Sequence, residues 1–334
     1  MISRRLLLAA GVAGTLAAGL GLPMAGPALA QAPAQKMPVV ASFSILGDFV
    51  KQVGGDRVAV TTIVGTNGDA HVYQPTPADA KAVAAAKVVF VNGLGFEGWM
   101  DRLIKASGTK ATIVVATKGI TPRTRSATEP QDDDEKDAGH GKKGKEAQGK
   151  DAHAGHDHGP IDPHAWQSIA NAKVYVTNVR DGLIAADPDG RDAYTANAAA
   201  YTAKLDALEA EVKTAMAKIP AEQRRIITSH DAFGYFGEAY GLTLIAPEGV
   251  STESEASARD VGRIIRQIKA QKIPAVFVEN VTDPRLIQRI AKESGAKVGG
   301  ELYSDALSDD KGPASTYIDM MHSNVRELST ALSS

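Results

Sequence analysis

Short apolar runs alternate with stretches of helical period along most of the chain. Residues 38–45 (PVVASFSI), 58–64 (VAVTTIV), 87–92 (KVVFVN) and 112–116 (TIVVA) are continuous and largely β-branched, and they predict strands. Residues 76–86 and 96–106, between them, carry a helical pattern. The alternation breaks over residues 120–162 and then resumes. Residues 225–228 (RIIT), 243–246 (TLIA), 275–279 (AVFVE) and 297–302 (KVGGEL) predict further strands, with helices near 231–240, 257–271 and 284–294. Apolar strands separated by helices argue for an α/β fold with parallel sheets, here two of them.

The break has two parts. Residues 120–162 are polar and low in aliphatics, and 132–158 mix Asp, Lys, Gly and His. That composition buries too little apolar surface to fold, so a disordered His/Asp-rich loop is expected. Residues 168–186 then read as a helix, with Val176, Val179 and Leu183 on one stripe and Asp187-Pro188 at its end. Such a helix reaches about 28 Å, enough to run down two domains as a stiff spine. Residues 192–218 form a second long, Ala-rich helix stopped at Pro220, and its Ala/Leu stripe reads as core packing. The expected division is an N-terminal lobe over 31–167 that includes the loop, a linking helix over 168–186, and a C-terminal lobe over 187–334.

Residues 1–30 lie outside this pattern. Arg4 and Arg5 precede an apolar Gly/Ala-rich run, and Ala28-Leu29-Ala30 fits a cleavage site, so a signal peptide is expected. The apolar run is short for a membrane span. Ser3-Arg4-Arg5-Leu6-Leu7-Leu8 resembles a twin-arginine signal, a pattern that ordinary signals share. Removing 1–30 takes the net charge from −2 to about −4. No basic footprint for nucleic acid remains. The chain has no cysteine, which excludes disulfides, thiolate metal sites and a lipid-bearing Cys. A protein free in the periplasm follows.

Two motifs suggest enzymes and fail on context. Gly93-Leu94-Gly95-Phe96-Glu97-Gly98 matches G-x-G-x-x-G, but it follows the third strand, so a tight strand-to-helix turn is expected rather than a dinucleotide site. Ser229-His230-Asp231 holds the residue types of a hydrolase triad. Sequence neighbours cannot usually line up that way, and no G-x-S-x-G elbow is present.

The histidines carry the chemistry. His71 follows the second strand, His230 ends the strand RIITSH, and Asp305 follows the last strand. Open α/β sheets bind ligands beyond their carboxyl strand ends. His164, in DPHAW, stands just before the spine helix. His71 and His164 from one domain, with His230 and Asp305 from the other, could present three imidazoles and a carboxylate to one ion. His322 lies in the final helix and reads as a surface or packing residue.

At these residues the chain resembles the zinc/manganese-binding solute-binding proteins of ABC transporters, cluster A-I. The matching stretches are VVASFSILGDFVKQVGGDRV, GDAHVYQPTPAD, VFVNGLGFEGWMDRL, the loop with DPHAW, IPAEQRRIITSHDAFGYFGEAYG, and VFVENVTDPR followed by LYSDALS. The resemblance implies two (β/α)4 lobes joined by one long rigid helix, with a metal site between them. By position, the family's ligands fall on His71, His164, His230 and Asp305. Manganese-type members place Glu where His230 stands, and zinc-type members place His. Three neutral imidazoles suit Zn²⁺ better than Mn²⁺. With Asp305 present a closed N3O tetrahedron is expected, and a closed site leaves no position for an activated water, so no enzyme is expected.

Zinc-type members often carry a His-rich loop. Here His140, His153, His156 and His158 stand among acids, including Asp132-Asp133-Asp134-Glu135, and among five lysines. Ordering such a chain costs roughly 1–2 kcal/mol per residue, so only weak zinc binding is expected there. Asp162, Asp231 and Glu97 are candidate supporting residues. The expected function is periplasmic capture of Zn²⁺ for an ABC transporter permease. A periplasmic zinc chaperone is a candidate further partner, and a monomer is expected. The alternatives are a manganese or iron binding protein, a zinc buffer without a permease, and a zinc-dependent hydrolase.

Overall fold

The computed structural model describes residues 36–124 and 161–333. The signal-like segment 1–30 and His140, His153, His156 and His158 lie outside the described residues. The first lobe runs β1 (Met37–Phe43), α1 (Ser44–Gly54), β2 (Val58–Val64), α2 (Pro77–Ala85), β3 (Val88–Val91), α3 (Met100–Ser107) and β4 (Thr112–Val115). Its four strands are parallel, in the order β2-β1-β3-β4. A short antiparallel pair follows, β5 (Arg123–Thr124) with β6 (Ile161–Asp162). Two long helices come next, α4 (Ile169–Ala186) and α5 (Arg191–Ala217). The second lobe runs β7 (Arg225–Ile227), α6 (Gly234–Tyr240), β8 (Thr243–Ile245), α7 (Ala258–Gln271), β9 (Ala275–Glu279), α8 (Pro284–Ser294) and β10 (Lys297–Leu302), and α9 (Tyr317–Leu332) closes the chain. Its parallel order β10-β9-β7-β8 repeats the first lobe's topology.

In both lobes the first strand is central and the chain crosses to opposite sides from it. That is the switch-point arrangement, which opens a crevice at the carboxyl strand ends. The expected two-sheet α/β fold is therefore the observed one.

Three local expectations are corrected. The strand expected over 38–45 stops at Phe43, and Ser44 opens α1 instead. Nearly all of α1 is buried, so it shows no polar face to mark its helical period. The helix expected from residue 96 starts at Met100, because Gly93, Leu94 and Gly95 all take positive φ (86°, 57° and 81°). Only glycine enters that region without strain, and the turn it builds occupies the G-x-G-x-x-G stretch. The disordered loop expected over 120–162 is corrected at its two ends, and residues 125–160 lie outside the described residues. Residues 120–124, 161 and 162 are ordered, and Arg123 pairs with Asp162.

The lobes share one core. Phe43, Phe96 and Trp166 meet pairwise at 4.9 Å between ring centroids. The same apolar cluster continues through Tyr175 of α4, Tyr201 of α5 and Tyr317 of α9 to Phe233, Phe236 and Phe277 of the second lobe. Helix α5 packs on α1 of the first lobe, on α4, and on α6 and α9. A separate cluster (Ile227, Ile264, Ile268, Val276, Ile287 and Ile290) fills the second lobe between its sheet, α7 and α8.

Candidate metal centre

Each residue singled out at a strand end is held by its own segment. His71 sits in the turn after β2, where its N–H donates to Asp69 Oδ1 at 2.9 Å. The other oxygen of Asp69 accepts from Thr252 of the second lobe at 2.6 Å. The Trp99 indole pins the neighbouring Ala70 carbonyl at 2.7 Å. His164 follows β6, and Asp162 Oδ1 accepts both its backbone N–H (2.9 Å) and its Nδ1 (2.8 Å). A proton held on Nδ1 leaves the Nε2 lone pair facing inward.

His230 lies beyond β7. Glu279, the last residue of β9, accepts from the backbone N–H groups of Ser229 (2.7 Å) and His230 (2.9 Å). Its Oε2 stands 2.7 Å from His230 Nδ1, an ion-pair contact rather than an aligned hydrogen bond. Asp305 lies beyond β10. The Ser304 carbonyl before it accepts from Trp166 Nε1 at 2.9 Å and Gln167 Nε2 at 2.8 Å.

These segments bring His71, His164, His230 and Asp305 together, all buried, with one donor atom from each within 4.8 Å of the others. His71 Nε2 is 3.3 Å from His164 Nε2 and 3.2 Å from Asp305 Oδ2. His230 Nε2 is 3.1 Å from Asp305 Oδ2, and His164 Nε2 is 3.5 Å from Asp305 Oδ1. A tetrahedron with bonds of about 2.0–2.1 Å has edges of about 3.3–3.4 Å, so these separations suit one small ion.

The electrostatics are strongly polarised. Burial disfavours charge on every group here. For His71 burial prevails, and its pKa is lowered. For His164 burial opposes, but the Asp305 charge and the Asp162 hydrogen bond outweigh it, and the pKa is pushed up to about 9. Burial also opposes at His230, where the Glu279 and Asp305 charges win and raise it well above the ordinary imidazole range. Burial would raise Asp305, yet His230 and His164 hold it well below the ordinary carboxylate range.

Of the candidate supporting residues, Asp162 touches a converging histidine. Glu97 acts one step further back. Its carboxylate accepts from Ser42 Oγ (2.5 Å) and the backbone of Asn92 (2.6 Å), while Asn92 Nδ2 holds the Pro163 carbonyl at 3.0 Å. The backbone N–H of Asp231 donates to Gly249 at 3.0 Å. Both ring nitrogens of His230 face carboxylates, so Ser229 has no imidazole base and the triad reading fails. His322 meets Glu211 on the surface. Glu279 escaped the sequence reading, although a lone carboxylate ending an apolar strand (AVFVE) was the available signal.

The model of the family described as "ZnuA: Zinc-uptake complex component A periplasmic" matches residues 39–331. The chain belongs to this family. Among relatives of this zinc-uptake component family, the manganese-binding lipoprotein MntA of Halalkalibacterium halodurans is 34% identical over 297 residues, covering 89% of each chain. The iron-binding protein YfeA of Yersinia pestis is 32% identical over 292 residues, covering 87% of this chain and 85% of its own. The periplasmic zinc binding protein TroA of Treponema pallidum superposes with a TM-score of 0.76 at 27% identity, over 89% of this chain and 99% of its own. The protein is thus an extracytoplasmic metal-binding component of an ABC transporter, with a permease as its expected partner. The relatives' names divide among manganese, iron and zinc. Where some are lipoproteins, this chain has no cysteine to carry a lipid.

Proposed function

We propose that the protein captures Zn²⁺ in the periplasm and delivers it to its permease, with His71, His164, His230 and Asp305 as the ligands. The observation that carries this is the buried set of three imidazoles and one carboxylate whose donor atoms all lie within 4.8 Å of one another. Nitrogen-rich donors favour a borderline ion, whereas Mn²⁺ prefers more oxygen. Asp162 and Glu279 support the reading, because carboxylates on the outer ring nitrogen orient a ligating imidazole and raise its basicity. A closed four-ligand set retains an ion without activating water, as transport requires and hydrolysis does not. The loop histidines His140, His153, His156 and His158 would collect zinc weakly and pass it to the centre.

Calorimetric titration of metal-free protein with Zn²⁺ and Mn²⁺ tests this. One tight Zn²⁺ site is expected, abolished in His71→Ala, with weaker sites lost on deleting 132–159. Tighter binding of Mn²⁺ than Zn²⁺ would reassign the cargo. Retention of the tight site in His71→Ala would reject the ligand set.

A further inference from the structure

We propose that Arg123 is a positioning residue for the centre: it orients His164 through Asp162 and ties that ligand to helix α6, which follows His230. The inference rests on the four-residue centre holding a divalent ion, whichever ion it prefers.

Arg123 belongs to the short pair β5–β6, and its side chain is only 12% exposed. Its Nη1 lies 3.2 Å from Asp162 Oδ2, while Asp162 Oδ1 takes both N–H groups of His164. One carboxylate is therefore held from two sides. A carboxylate rotates freely about its terminal torsion unless both oxygens are engaged. The guanidinium fixes its plane, and the imidazole follows.

The second grip comes from α6. Arg123 Nε donates to Glu238 at 2.9 Å, and its backbone N–H donates to the Tyr235 hydroxyl at 2.8 Å. That hydroxyl donates on to the Asp162 carbonyl at 3.1 Å. Gly234 opens α6 where a Cβ would fall on the guanidinium and within 2.7 Å of Asp162 Oδ2. The helix seats directly on the Arg123–Asp162 pair because that position carries no side chain. Since α6 begins four residues past His230, one bracket connects ligands from both lobes: His164, Asp162, Arg123, α6 and His230. A shift of α6 that displaces His230 pulls on Asp162 as well. The two imidazoles then let go together, and release is concerted.

The test follows Zn²⁺ release from the full-length protein into excess chelator, together with the visible spectrum of the Co²⁺-loaded form. Arg123→Gln is expected to speed release about 10-fold or more and to shift the Co²⁺ bands, as loss of outer-shell partners does. Asp162→Asn should do the same, and the double variant should release no faster than Asp162→Asn alone, since the residues act in series. Arg123→Lys, which keeps the charge but not the fork, should recover part of the rate. Gly182→Ala, a destabilising change away from the centre, should leave the Co²⁺ bands in place. Should Arg123→Gln not fold, Glu238→Gln and Tyr235→Phe carry the same expectation of faster release. Wild-type release and spectrum in these variants, or additive effects with Asp162→Asn, would overturn the proposal. Failure of the unaltered protein to bind Zn²⁺ or Co²⁺ would instead overturn the metal-centre reading.

Discussion

At the scale of single residues, the four converging side chains are defined as much by their protons as by their positions. Asp305 and Asp162 hold the His164 pKa at about 9, and Glu279 and Asp305 raise His230 well above its ordinary value. An arriving ion must displace those protons. Affinity is therefore expected to keep rising with pH toward about 9, rather than levelling off above the ordinary imidazole value near 6.5. Calorimetry at pH 7 in buffers of different ionisation enthalpy should show net proton release, and a buffer-independent heat would refute it. Stability follows the same linkage. His164 gains its partners on folding, so its contribution to the metal-free protein is complete below about pH 6.5 and is lost as pH rises through about 9. The gain in melting temperature on metal loading should accordingly widen between those values. Glu279→Gln keeps an acceptor for the backbone N–H groups of Ser229 and His230 but removes the charge beside Nδ1. It should weaken Zn²⁺ binding by about 10- to 100-fold in a competition titration. An unchanged affinity would show that the backbone bonds are its whole role.

At the scale of elements, the strands were legible because buried parallel strands read as unbroken apolar runs. The bounds of β2, β9, α8 and β10 coincide with those expected. Helix α1 was not legible, since burial on nearly every side erases the period that reveals a helix. The late start of α3 and the ordering of β5 with β6 depend on positive φ at Leu94 and on a pairing across 39 positions, which local pattern does not encode. Helix α4 shows how tightly the elements fit. A Cβ on Gly182 would stand 2.8 Å from Val114 Cγ2 and 3.0 Å from Phe90 Cε1. Alanine gains about 1 kcal/mol of helix propensity there, while forcing a methyl into a packed interface costs about 1–3 kcal/mol. Gly182→Ala should therefore lower stability by about 1 kcal/mol in urea unfolding. A stabilised variant would show that the Phe90 contact relaxes without cost.

At the scale of the molecule, the candidate metal centre lies where two lobes share a core. Trp166 reaches Ser304, Tyr317 reaches Trp166, and Ser44 holds Leu307, so bonds cross between the lobes on several sides of the centre. Opening the lobes widely would break these and expose the aromatic cluster around Phe43. Metal loading should thus leave the radius of gyration measured by small-angle scattering unchanged within error. A clear contraction would mean that the lobes hinge. Small motions make segments such as α6 and the turn at Asp69 and Thr252 the places where release begins.

The sequence by itself determined the two parallel sheets, the strand ends that carry His71, His230 and Asp305, and the histidine before the spine helix. These are local facts: apolar period sets the strands, and open sheets bind ligands beyond their carboxyl ends. Only the tertiary structure decided that the four side chains meet, and that Glu279 backs His230. It also decided that Asp162 faces both His164 and Arg123. Those relations join residues 49, 75 and 39 positions apart, and folding brings them into the low-dielectric setting where a proton or an ion is strongly felt.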